Sequence, residues 1–368
     1  MSRVLETFLD LVRIDSPTGR ERTVAESLVA MLSSAGCDVR FDDTTALTGS
    51  DSGNLLAVLP GTAPGRVVAL SAHMDCVQPC EGVEPVVSDG FVRSAGETVL
   101  GGDDKVGLAA IVEAVRRLAE ADAPHPDVRV VLTVSEENGL RGAKALDASE
   151  CVADLCLVLD ADGPVGGIVT AAPTHYTFSA VFAGRASHAG VEPEKGVSAI
   201  AMAAEAIGAM ALGRLDDTTT ANIGTIGGGS ATNVVAPRCE VTGECRSLDP
   251  DRIEDVRAAM DAAMRDAAAA RGGSVEVDWT LEYGGFSLDD TAEALRIVED
   301  ACRAIGVTPR RFATGGGSDG NIFASHGMPT LVLSSGMSKV HSVDEEVALA
   351  ELERLADLLV AVVDRARA

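Results

Sequence analysis

The sequence predicts an α/β protein: a mixed, mostly parallel sheet with helices on both faces, interrupted by an inserted ferredoxin-like α+β domain. Three observations carry this. Apolar, β-branched runs recur between helical patterns. A stretch from about residue 173 to 285 follows a different order. The 368 residues, 46% of them hydrophobic, exceed the usual size of one domain.

The first residues, MSRVLETFLDLVRIDSPTGRERTVAESL, set apolar positions at helical spacing. That spacing differs from the continuous apolar stretch of a signal peptide. The runs NLLAVLP, VVALSAH, VRVVLTVS and LCLVLD follow, with PTLVLSS near the end. They alternate with helical stretches such as GLAAIVEAVRRLAEA, the order that builds parallel strands with crossover helices. In such sheets, reactive groups gather beyond the carboxyl ends of the strands. The middle stretch runs strand (THYTFSAVFAG), helix (VSAIAMAAEAIGAM), two strands (ANIGTIGG, RCEVTGECRS), helix (PDRIEDVRAAMDAAMRDAAAA) and strand (SVEVDWTLEY). This βαββαβ order is ferredoxin-like. The sheet pattern resumes after it, so a first domain is expected at 1–172 and 286–368, split by an insertion at 173–285.

Composition narrows the function classes. A formal net charge of -26 repels a phosphate backbone, and no basic patch offsets it, so nucleic acid is not an expected partner. No run of about 18 apolar residues suggests a membrane span. A cytoplasmic protein is expected. The eight cysteines lack paired CxxC spacing and read as reduced, buried thiols.

Chemistry concentrates at the predicted strand ends. VVALSAHMDCV ends in His73 and Asp75, two residues apart and therefore on one face of an extended chain. A neutral imidazole ligates metal, and a nearby carboxylate fixes its tautomer. In GGDDKVGLAA, Asp103 and Asp104 precede a helix start, where capping accounts for one acid more readily than for two. A carboxylate with two oxygens is also a natural bridge between two metals about 3.5–4 Å apart. VRVVLTVS runs into Glu136 and Glu137, whose side chains point to opposite sides if the backbone stays extended. LCLVLD ends in Asp160, and His341 lies in the loop after the last core run. Each group alone has a bland reading as a cap, turn or surface residue. Together they share one topology, and two imidazoles with three carboxylates suit zinc, cobalt or manganese.

The motifs SAHMD, GGDDKVG, SEENGLRGA, LDADGPVG, GRASHAG, GGGSATN, GGGSD and VHS, in this order, resemble the dizinc exopeptidase family of peptidase T and carboxypeptidase G. TTANIGTIGGGSATNVV and TGGGSDGNIF are most similar to its peptidase T-like branch. The resemblance implies a zinc-exopeptidase-like catalytic domain holding two divalent ions. His73 and Asp160 would hold one, Glu137 and His341 the other, and Asp103 would bridge them. It implies Asp75 as the residue steadying His73, Glu136 as general base, and a cis peptide between Asp103 and Asp104. It further implies that the insertion is a lid and dimerisation domain. There His188 would reach the partner subunit's site, while Asn233 and Arg246 hold the substrate's polar end. A salt bridge to a local acid is the competing role for Arg246.

The function so implied is a two-metal aminopeptidase acting on short peptides, tripeptides foremost, as a homodimer. Two alternatives stand beside it: a deacylase of N-acylated amino acids with the same metal machinery, and a catalytically silent peptide-binding protein. The intact Glu136 and complete ligand set count against the last. GTIGGGSATN and TGGGSDG imitate phosphate loops but lack both the G-x-G-x-x-G order and the Walker lysine, so no nucleotide is expected.

Overall fold

The computed structural model describes residues 2–121 and 123–367. It forms two compact units. One comprises the chain up to Thr170, Leu288–Ala313 and the chain from Ser318 onward; the other comprises Ala171–Ser287 and Thr314–Gly317.

The first unit is built on a mixed sheet of β1 (Asp38–Phe41), β2 (Leu55–Leu59), β3 (Val68–His73), β4 (Val128–Thr133), β5 (Leu155–Ala161), β6 (Gly167–Ala172), β7 (Arg310–Ala313) and β8 (Thr330–Ser334). Their order is β1-β2-β4-β3-β5-β8-β6, with β7 beside β6. The central strands β4, β3, β5 and β8 run parallel, so their carboxyl ends share one edge. β1, β2 and β6 are antiparallel additions.

All residues of β3 are buried, which requires cover on both faces. The helices Arg3–Val12, Gly102–Glu120 and Leu349–Arg365 pack on one another, with Gly102–Glu120 against β3. Short helices Arg141–Ala145 and Asp319–Ser325 pack together, the second against β5 and β8. Leu70 and Leu108 have no exposed surface, and truncating either to alanine would cost about 2–5 kcal/mol. Among the described residues, no helix is long and apolar enough to cross a membrane.

A small antiparallel sheet joins Pro85–Ser88, Phe91–Ser94, Glu346–Ala348 and Met337–Ser338. Its last two strands pair directly, so the residues between them, including His341, form a constrained connection with Lys339 and His341 at positive φ.

The second unit is an antiparallel sheet ordered Gly213–Asp216, Thr219–Gly228, Arg238–Ser247, Thr174–Ala183, Ser274–Tyr283. Helices Ala199–Ala209 and Pro250–Ala270 share a core with Phe178, Ala180, Phe182 and Val241. This is the ferredoxin-like order with one short edge strand, Gly213–Asp216, added. Thr314–Gly317 joins this unit although the pattern around it suggests the catalytic domain. The Thr314 amide donates to Ala171 O at 3.0 Å. A Cβ on Gly317 would stand 2.2 Å from the Tyr283 ring, so only glycine fits against that ring.

Candidate metal centre

His73 closes β3, Asp160 lies one residue from the end of β5, Glu136 and Glu137 follow β4, and His341 follows β8. The four parallel strands therefore deliver these groups to one edge. Asp103 arrives at the head of the helix Gly102–Glu120. Its glycine pair is required there: Gly101 stands at φ 73°, and a Cβ on Gly102 would meet Val347 Cγ2 at 2.8 Å. The peptide between Asp103 and Asp104 is cis, as the resemblance implied.

Asp103 is the hub. Its Oδ1 lies 3.0 Å from His73 Nε2, and its Oδ2 lies 3.2 Å from His341 Nε2. His341 Nε2 is also 3.0 Å from Glu137 Oε1. The candidate ligand atoms of His73, Asp103 and Asp160 lie within 4.8 Å of one another, as do those of Asp103, Glu137 and His341. His73, Glu136 and Glu137 form a third such group, so proximity alone places Glu136 among the possible ligands. Asp104 accepts the Gly107 amide at 3.1 Å.

Asp75 stands against His73 with both its backbone carbonyl and its carboxylate. His73 Nδ1 is 2.9 Å from the Asp75 carbonyl oxygen and 3.5 Å from its carboxylate. With Nδ1 donating to that carbonyl, Nε2 is the nitrogen that faces Asp103 and whose lone pair a bound ion would take. The Asp75 carboxylate also accepts the amides of Glu136 at 3.0 Å and Glu137 at 3.2 Å, and the Thr18 hydroxyl at 2.7 Å. The Glu136–Glu137 backbone is accordingly a turn rather than the extended continuation of β4 expected from the sequence. Sequence reasoning also passed over Glu345. This buried carboxylate accepts the Gly101 amide at 2.8 Å and the Asp103 amide at 2.9 Å. Only its position in the acidic DEE run after VHS hinted at it.

Proton affinities here are far from ordinary. Burial would lower the His73 imidazole, but Asp103 and Asp75 hold it well above its usual value. Asp103 and Glu137 push His341 up to about 10. Burial opposes ionisation of Asp103, yet His341 and His73 hold its carboxyl below the usual range. Burial drives Glu136 well up; His73 pulls it back, while Asp319, Glu137 and Asp75 push it further. Burial likewise raises Asp160, with Glu136 and Asp103 adding to the effect. Carboxylates crowded in low dielectric need compensating positive charge. Two imidazoles, three carboxylates and no thiolate form a donor set that fits borderline divalent ions. The residues present fit a pair of such ions sharing Asp103.

In the second unit, His188 and Asn233 lie on adjacent segments. The Ala189 amide donates to Asn233 O at 2.9 Å, and His188 bridges Val234. The Gly190 amide donates to His188 Nδ1 at 3.2 Å, so Nε2 is the nitrogen of this exposed ring that carries a proton to donate. Arg246 Nη2 donates to Glu244 at 3.0 Å and Nη1 to the Tyr283 hydroxyl at 3.3 Å, so it does engage a local acid. His175 Nε2 meets the same Glu244 oxygen at 2.9 Å.

Comparison with known proteins identifies the family. The chain matches Peptidase family M20/M25/M40 over residues 69–365. It is 44% identical to the uncharacterised protein YqjE of Bacillus subtilis strain 168, covering 99% of this chain and 98% of that one. The crystal structure of aminopeptidase PepT from Bacillus cereus ATCC 10987 aligns with a TM-score of 0.93 at 41% identity, covering 99% of this chain and 98% of that chain. A tripeptidase from Staphylococcus aureus Mu50 aligns with a TM-score of 0.96 at 38% identity, covering 100% and 98%. The chain belongs to peptidase family M20/M25/M40 and is a hydrolase of the metallo-exopeptidase class.

Proposed function

We propose that this protein is a two-metal aminopeptidase that cleaves short peptides at their free amino end, tripeptides foremost. The observation that carries the reading is Asp103, whose two carboxylate oxygens each face a different histidine. The relatives named as an aminopeptidase and a tripeptidase support the substrate class.

His73 and Asp160 would hold one ion, Glu137 and His341 the other, and Asp103 both. Zinc is the ion this donor set suits first, with cobalt or manganese as substitutes. Such a pair supplies Lewis-acid polarisation of a carbonyl and a source of hydroxide near neutral pH. Glu136 takes the proton from the attacking water and returns it to the departing amine. Asp75 orients His73 and anchors the Glu136 backbone. His188, with Nε2 as donor, stabilises the tetrahedral oxyanion from the partner subunit. Asn233 and Arg246 hold the substrate carboxylate, with Glu244 and Tyr283 steadying the guanidinium.

The second unit would serve as lid and dimerisation domain. Its strand Thr219–Gly228 pairs with Gly213–Asp216 only as far as Ala221, leaving an open edge over residues 222–228 as a template for a second copy. All eight cysteines are free and buried, in keeping with a reducing cytoplasm.

The test is a hydrolysis screen of the metal-loaded protein against free tripeptides, dipeptides, amino-blocked tripeptides and N-acylated amino acids. Cleavage confined to free-amine peptides with tripeptides fastest is expected. Preferential turnover of N-acylated amino acids would replace the reading with a deacylase, and no turnover of any with a binding protein.

A further inference from the structure

β4 ends at Thr133, and the four backbone N–H groups that follow all donate to side chains. Val134 donates to Asn54 Oδ1 at 3.0 Å and Ser135 to Glu21 Oε1 at 3.0 Å. Glu136 donates to Asp75 Oδ1 at 3.0 Å and Glu137 to Asp75 Oδ2 at 3.2 Å. Asn54, Glu21 and Asp75 have no exposed surface. A continuing strand would give these donors to a neighbouring strand. Here three side chains receive them instead, and the chain turns, with Ser135 at φ 53°.

Two of the three acceptors are governed by one loop near the amino end. Thr18 Oγ1 donates to Asp75 Oδ2 at 2.7 Å, and the Cys76 amide donates to Ser16 O at 2.9 Å. Glu21 Oε1 also accepts the Gly19 amide at 2.9 Å and the Ser135 hydroxyl at 3.2 Å, while its Oε2 accepts the Ser50 hydroxyl at 2.5 Å. Carboxylate acceptors make the stronger, shorter kind of hydrogen bond, and burial protects these from competition by water. The loop is thus joined to the turn from which both site glutamates project.

We infer that the segment Ser16–Glu21 is a positioning element for the reaction: Glu21 acts through Ser135, and Thr18 acts through Asp75, to set where the Glu136 carboxylate stands. This rests on the reading of Glu136 as the base. Neither residue touches the reacting atoms. A displacement of about 1 Å in a reacting group costs on the order of 100-fold in rate, which sets the scale of the effect.

The experiment compares Thr18→Val, Thr18→Ser, Glu21→Ala and Glu21→Gln in the metal-loaded full chain, measuring kcat, KM and bound metal. Serine keeps the hydroxyl donor, and glutamine keeps one oxygen for the Ser135 amide. Thr18→Val and Glu21→Ala are expected to lower kcat roughly 10–100-fold, with KM within about twofold and metal content unchanged. The conservative variants are expected to recover most of that loss. Wild-type kcat in Thr18→Val, or a loss matched by lost metal, overturns the inference; Thr18→Val decides alone if Glu21→Ala fails to fold. Glu136→Gln run alongside separates the two claims. Low turnover there with wild-type turnover in Thr18→Val overturns the positioning role only, whereas wild-type turnover in Glu136→Gln overturns both.

Discussion

Replacing Glu136 by glutamine removes a proton acceptor while changing little else. The backbone of residue 136 stays tied to Asp75 at 3.0 Å, and the neighbouring Glu137 keeps its 3.0 Å contact with His341, because neither bond uses the Glu136 side chain. Glutamine has the same shape and cannot take a proton from water. General acid–base catalysis contributes about 100- to 10,000-fold, so kcat should fall by that factor, or about 2.7–5.4 kcal/mol in barrier. The loss should appear in kcat and in kcat/KM alike, since the missing interaction is made only in the transition state. The assay is initial-rate hydrolysis of a free tripeptide, followed by release of the amino-terminal residue, with metal counted by elemental analysis on the same sample. Turnover above about one-tenth of wild type with both ions retained would refute the assignment of Glu136 as base.

Three further outcomes follow from the geometry. Asp103→Asn leaves one carboxamide oxygen where two faced separate histidines, so bound divalent metal should fall from two ions per chain to at most one; two ions retained would contradict the bridge. Gly317→Ala places a methyl 2.2 Å from the Tyr283 ring and should destabilise the protein by about 1–3 kcal/mol in thermal unfolding, with relief when Tyr283→Ala is combined with it. His175, and after it Arg246, hold the Glu244 carboxyl down at about 2 against the opposing pull of burial. Stability from a depressed carboxyl is present above its unfolded value and lost as pH falls through the folded one. The gap between wild type and Glu244→Gln, on the order of 1 kcal/mol for a partly exposed group, should therefore be full above about pH 5 and close toward pH 2. A gap independent of pH would count against the ion-paired cluster.

Much of the scaffold was legible because buried parallel strands write themselves as short apolar runs. LCLVLD differs from the observed β5 by one residue at one end, and PTLVLSS from β8 by one residue at each end. Candidate groups at the ends of those runs then fall at one edge by topology alone. The Glu136–Glu137 turn was not legible. VRVVLTVS reads as strand through Ser135, and the residues that end it at Thr133, namely Asn54, Glu21 and Asp75, are remote in sequence. The second duty of Asp75 was hidden for a related reason: local spacing shows that it is near His73, but not that its carboxylate also accepts two amides of another loop. The place of Thr314–Gly317 depends on the fit of Gly317 against Tyr283, a steric fact with no periodic signature.

The central claim is that Asp103 bridges two metal ions. Anomalous diffraction from crystals grown with zinc tests it most directly. Two peaks per chain are expected, one among His73, Asp160 and Asp103, the other among Glu137, His341 and Asp103, with one Asp103 oxygen toward each. A single peak, or two peaks of which one lies away from Asp103, would contradict the account.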